Sequence, residues 1–437
     1  MRKSTKVVSV ALAFLTGCST LLIGCSGKNA SSTPASSAGA AAPSSASSEA
    51  APAKLSVYSS ANDEPVENAL KKVVSNFEAE NKNIKIDLNF PGSDYENILK
   101  VRMASNTLPD VFDTHGWAKV RYGKYLADLK DLPWASNLTD TIKDVITDSS
   151  GKVYCLPMVT AMDGFIYNAD ILKKYNIEVP KTIDQLTAAA VEIKQKSNGS
   201  ISPFFMSGVD SFTIGQYIDV LSTPLTISPA KNYKKELLNN TFDWNIWTKL
   251  PQVMADWKNK GLINSDALTA KNSDLPQRLA NGKVCFDAYF LTCADQVKSI
   301  NPDVHLGIMP TPTFDASDSP SFSGGERYTM GIWKDTKSMD AAKTFVNFVA
   351  QPSQLTFLVG AAKEPSGIKD VKADNEFQKY FDQYSNLRVF SYWDRDYIQN
   401  GMWDVMCKNG TKLIAGQETP DQFSKTMKSE NDRLAGK

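Results

Sequence analysis

From Lys54 onward, the apolar positions switch between two periods. Leu55 and Val57, with the adjoining Tyr58, predict a short strand. Asn62, Asp63 and Pro65 then mark a helix start, and Val66, Leu70, Val73, Val74 and Phe77 recur on one helical face. Ile84, Ile86, Leu88 and Phe90 alternate strictly, as a half-buried strand does. Ser93 and Glu96 have the spacing of a capping box, which predicts a helix to about Ser105. Val111 and Phe112 begin another buried strand behind Pro109 and Asp110. This strand–helix alternation predicts a mostly parallel sheet with helices on both faces. Thr182 and Gln185 cap a further helix carrying Ile183, Leu186, Ala190 and Ile193. Gly331, Ile332 and Trp333 read as a strand before a helix from about Asp340 to Ala350. The class is α/β, with two lobes.

The first fifty residues break this pattern. Arg2, Lys3 and Lys6 precede an apolar run from Val7 to Leu15, too short to span a membrane but arranged as a secretory signal. Leu22-Ile23-Gly24-Cys25 then has the form of a bacterial lipobox, with a small residue before a thiol that diacylglycerol alkylates. Cys18 is a poorer candidate anchor, because it would leave an unusually short signal. The expectation is a signal over 1–24 and a lipid on Cys25. From Ser26 to Ala53 the chain is almost wholly Ser, Ala, Gly and Pro, so 25–53 is expected to be a flexible tether. A lipid and a leash predict a globular body held at the outer face of a cell membrane.

Composition narrows the function further. The 437 residues carry 48 basic and 48 acidic side chains, and loss of the leader removes three positive charges. That balance lacks the basic footprint of a nucleic-acid binder. The cysteines of the body, Cys155, Cys285, Cys293 and Cys407, match no zinc spacing, and His115 and His305 lie far apart. Buried free thiols are expected, although an extracellular location also permits a Cys285–Cys293 disulfide. Nothing in the sequence asks for a cofactor or a metal.

Residues 157–174 read PMVTAMDGFIYNADILKK. This stretch resembles the signature of family 1 extracellular solute-binding proteins, the maltose-binding-protein-like group. Pro157, Met158 and Val159, then Gly164, Phe165, Ile166, Tyr167 and Asn168, then Leu172 and Lys174, meet its constrained positions. The segments Leu108-Pro109-Asp110-Val111, Val179-Pro180-Lys181-Thr182 and Ala341-Ala342-Lys343 are similar to family segments in the same order, so the resemblance runs over roughly 54–430. It implies the type II periplasmic-binding-protein fold, two Rossmann-like lobes joined by a three-crossing hinge. The crossings are expected beside Gly164, near Gly307–Pro310 and near Gln351–Pro352. The first lobe would then comprise 54–162 and 310–351, and the second 163–309 and 352–437.

The resemblance also implies a role. Such proteins act as monomers that capture a carbohydrate between the lobes and hand it to the transmembrane subunits of an ABC permease. A sugar offers hydroxyls and a weakly apolar ring face, so its site needs carboxylates, amides and aromatic plates. The expected ligand contacts are Asn62, Asp63, Asp113, Trp117, Asp163, Phe212, Tyr289, Gly325, Glu326, Trp393 and Trp403. Simple helix capping competes with ligand binding for Asp63, and a backbone network competes for Asp163. Trp244, Trp247 and Trp257 have helical spacing and are expected to be packing residues. No catalytic motif appears. A lipid-anchored carbohydrate-active enzyme, or the same fold holding a polyamine or another small solute, remain open at this point.

Overall fold

The computed structural model describes residues 53–288, 291–372 and 375–436. The signal, the lipobox at Cys25 and nearly all of the tether lie outside the described residues, as does Tyr289. Among the described residues no helix is long and apolar enough to cross a membrane.

Among the described residues, ten strands form two sheets. They are β1 (Ala53–Tyr58), β2 (Ile84–Asn89), β3 (Val111–Phe112), β4 (Leu156–Asp163), β5 (Phe165–Asn168), β6 (Ser202–Phe204), β7 (Val284–Asp287), β8 (Leu306–Met309), β9 (Phe322–Ile332) and β10 (Val389–Ser391). The first sheet has the order β10-β9-β3-β1-β2, with β4 also paired to β9. The second has the order β6-β7-β5-β8. β1, β2 and β3 are parallel, as their alternation with helices requires. β9, however, runs antiparallel to both β3 and β4. β5 is likewise antiparallel to β7 and β8. The physical reason is the path of the chain. It leaves the first sheet along β4 and returns along β9, so those strands must oppose one another. It enters the second sheet along β5 and leaves along β8, with the same result.

Local signals explain most of the helices. Asp63 caps the helix Glu64–Glu80 by accepting from Val66 N at 3.2 Å, with a proline in the first turn. That helix buries Val66, Leu70, Val73 and Phe77, and the Phe77 ring meets Phe345 and Phe348 edge-on at 5.0 and 5.3 Å. Thr182 and Gln185 form a complete capping box on Ile183–Lys196. The box expected from Ser93 and Glu96 does not form. Gly92–Asp94 make a turn of 3-10 helix instead, and the Glu96 carboxylate bonds to His115 and Tyr122 at 3.0 Å and to Arg121.

The first crossing is short. Only Gly164 separates β4 in one sheet from β5 in the other. A β-carbon on Gly164 would lie 2.3 Å from the Met309 carbonyl oxygen, where β8 ends. The first two passages therefore touch one another. The third crossing was expected at Gln351–Pro352, and here the structure differs. Pro352 opens the helix Pro352–Ala362, which packs on Glu64–Glu80 and buries Leu355, Leu358 and Val359 in the first core. Ile368 and Val371 stay with that core, whereas Phe377 and Phe381 belong with β8 and the second sheet. The passage thus lies beyond Val371, because a proline at a first helical turn continues the lobe it sits in. The four body cysteines are buried free thiols.

The close approach at Gly164 makes a specific demand. Gly164→Ala should lower the free energy of unfolding by about 1–3 kcal/mol, because its methyl meets backbone that cannot move aside. Gly360→Ala lies in a helix with nothing within 4 Å of the new methyl, and should raise it by about 0.5–1 kcal/mol. Urea denaturation of the two variants measures both.

Candidate functional site

Between the two sheets lies a cleft of about 780 Å³. The segments that follow β1, β2 and β3 reach it with Ser60, Asn62 and Asp63, with Tyr95 and Glu96 at the start of the helix Tyr95–Ser105, and with His115 and Trp117. From the other side come Phe212 and Gln216, in the first turns of the helix Phe212–Thr226 that follows β6. Cys293, Asp295 and Gln296 follow β7, and Trp403 opens the helix Met402–Ala415. Much of the lining thus sits past the carboxyl ends of strands, the usual ligand crevice of open α/β sheets. Near the crossings, Arg327, Tyr328, Tyr392, Asp394 and Arg395 complete the wall.

A buried ion cluster lies at the hinge. Arg327 on β9 holds Asp163, the last residue of β4, with Nη2 2.5 Å from Oδ1. Its Nε contacts the carboxylate of Glu364, just after the helix Pro352–Ala362. Tyr392 Oη donates to Asp163 Oδ2 at 2.7 Å, and Gln216 Nε2 donates to the same oxygen at 2.9 Å. Burial pushes the Glu364 carboxyl up to about 8, against the pull of Arg327. Glu364 therefore holds its proton more tightly than an ordinary glutamic acid.

A second knot ties β3 to β9. The Asp113 carboxylate accepts from Ser60 Oγ at 2.5 Å, from His115 N at 2.9 Å, and from Thr329 N and Oγ1 at 3.0 and 2.9 Å. Glu326 accepts from Thr114 Oγ1 at 2.5 Å and Ala118 N at 3.0 Å, and burial pushes it up to about 7. Behind the cleft, Asp394 N donates to Asp219 Oδ1 at 2.8 Å. Burial raises both of those carboxyls; the Asp394 charge raises Asp219 further, whereas Arg395 and a hydrogen bond with Asp219 pull Asp394 down.

Of the residues expected from the sequence, Asn62, Asp63, Trp117, Phe212 and Trp403 line the cleft. Asp113 and Glu326 do not, because the donors of the first lobe consume their oxygens. Asp163 reaches the cleft only through Gln216, Arg327 and Tyr392, which do line it. Gly325, at φ +145°, is a β9 residue opposite Ala161 and not a lining residue. Trp393 is wholly buried, stacked 6.0 Å from Trp247 with the rings 7° apart. Trp244 and Trp257 are packing residues as well. The sequence reading missed Gln216, Asn272, Tyr328, Tyr392, Asp394 and Arg395. The adjacent Tyr392, Asp394 and Arg395 carried a readable signal, an aromatic and two charges beside a core tryptophan.

Two α/β lobes around a crevice with rings and carboxyls on its walls define a hinged binding protein. The chain belongs to the bacterial extracellular solute-binding protein family, whose model matches residues 61–355. It is 42% identical over 381 residues to the melibiose/raffinose/stachyose-binding protein MelE of Bacillus subtilis, covering 87% of this chain and 89% of that one. A Bacillus subtilis binding protein solved in an open conformation shares 41% identity at a TM-score of 0.85, covering 88% of this chain and 98% of that one. A Bacillus licheniformis sugar transporter protein, solved with stachyose, shares 44% identity at a TM-score of 0.81 over 87% and 100% of the two chains.

The buried acids give a pH dependence with a definite sign. A carboxyl held above its ordinary value near 4.5 favours the folded state most at low pH. That contribution is lost as pH rises from about 4.5 to about 8 for Glu364, and to about 7 for Glu326. Glu364→Gln, which mimics the protonated form, should flatten the decline of the melting temperature across this window, as calorimetric scans at stepped pH would record.

Proposed function

We propose that this protein captures a neutral oligosaccharide in the cleft and delivers it, unaltered, to an ABC importer. The observation that carries the reading is the state of the charges around the cleft. Asp63 accepts from Tyr328 Oη at 2.8 Å and from its own helix, Glu96 is held by Arg121 and His115, and Asp295 pairs with Lys363 at 3.1 Å. Arg327 is matched by Asp163 and Glu364. Glu96 and Asp295 already have counter-charges, which leaves a polyamine less to gain, whereas carboxylate lone pairs, amides and the rings of Trp403 and Phe212 suit hydroxyls and a sugar face. The named relatives, at 42% and 44% identity, support oligosaccharides of the melibiose, raffinose and stachyose kind.

The same reading places the protein outside the cell. The basic residues ahead of an apolar run, and Gly24 before Cys25, support a lipid anchor on Cys25 and the Ser/Ala-rich stretch as its leash. The partner is the transmembrane part of the importer, met by a single copy of the chain. Contacts from both lobes are what make ligand favour a closed form over an open one.

Titration calorimetry with melibiose, raffinose, stachyose and spermidine tests this. At least one of the sugars should bind in the micromolar range, about −8 kcal/mol, with little change between low and high salt. Trp403→Ala should weaken that binding about tenfold by removing a ring face. Binding of spermidine alone, or release of smaller sugars during incubation with stachyose, would refute the proposal.

A further inference from the structure

Trp117 stands in the cleft on the first lobe, yet its ring is already occupied. The Arg121 guanidinium lies 3.9 Å from the ring centroid, and the Arg395 guanidinium lies 4.6 Å from it. Arg121 belongs to the same first-lobe loop and is held by Glu96. Arg395 comes from the second lobe, where its neighbours Trp393, Tyr397 and Ile398 are buried in the core. Its guanidinium also lies 4.1 Å from the Tyr392 ring. It sits so near the first-lobe backbone that a β-carbon on Gly116 would come within 1.8 Å of Nη1. Gly116 has φ +88°, so the chain bends there in a form that favours glycine. Beside this contact, Arg121 Nη2 donates to Asn400 Oδ1 of the second lobe at 2.8 Å.

We propose that Arg395 is a positioning residue that clasps the two lobes together before any ligand arrives, with Trp117 and Gly116 as its receiver. The ring of Trp117 then grips a cation, and sugar stacking falls to other aromatics such as Trp403. This rests on the reading that the cleft closes around its sugar. The clasp is suited to the task because it is mostly shielded. The Arg395 side chain is 17% exposed, so added salt weakens its contact with the ring little. The lobe-to-lobe ion pair of Lys363 with Asp295 has its acid 51% exposed and is more readily screened. A clasp that raises the closed fraction of the free protein also raises apparent affinity. The apparent dissociation constant is the intrinsic one divided by the fraction already competent.

Solution scattering and calorimetry with stachyose, on the whole mature body, test the clasp. Arg395→Met should enlarge the ligand-free radius of gyration, in low and high salt alike, while saturating stachyose returns it to the wild-type closed value. Its affinity should fall by about the factor by which the closed fraction falls. Gly116→Ala inserts a methyl where the guanidinium rests, without altering any charge, and should shift the radius in the same direction. Ligand-free radii equal to wild type in both variants would overturn the clasp. If stachyose binds the wild type but compacts it not at all, closure itself fails, and the proposal falls with it.

Discussion

The arrangement depends on one buried cation. Arg327 joins the end of β4, the strand β9 and the segment after the helix Pro352–Ala362, through Asp163 and Glu364. Gln216 brings in the second lobe and Tyr392 the segment after β10, both through hydrogen bonds to Asp163. Removing one member of such a cluster leaves a partner buried without its counter-charge, at a cost of about 3–5 kcal/mol. The cluster therefore fixes where the crossings meet.

The same demand shapes the cleft. Several buried acids are consumed within a lobe, Asp113 and Glu326 by donors of β9 and the β3 loop, Asp219 by the backbone of Asp394. What faces the crevice is a set of rings, amides, carboxyl oxygens with spare lone pairs and two arginines already held by partners. Such a surface rewards many moderate hydrogen bonds and disfavours a bare cation, which would have to break existing pairs to find a partner. The membership of the solute-binding family and the sugars named for its relatives agree with this chemistry.

How much of this the sequence carried depended on distance along the chain. The strict alternation of Ile84, Ile86 and Leu88 and the Thr182–Gln185 box were legible because their causes are local. The 157–174 stretch disclosed the fold because Gly164 leaves no room for a β-carbon beside Met309. Ser93 and Glu96 misled, because Glu96 finds stronger partners in Arg121 and His115 than in its own backbone. Pro352 misled for a related reason, since a proline marks a helix start as readily as a change of lobe. Trp393 and Trp403 look alike in sequence, and only the stack on Trp247 separates core from cleft. Gln216 and Arg395 were out of reach, because their positions follow from how two lobes meet.

Both walls of the cleft should hold one sugar between them. Amide hydrogen exchange with and without stachyose tests it most directly. Protection should appear together around 61–66 and 113–117 on the first lobe and around 212–216 and 392–395 on the second. Protection confined to one lobe, or lying away from these segments while stachyose is bound, would contradict it.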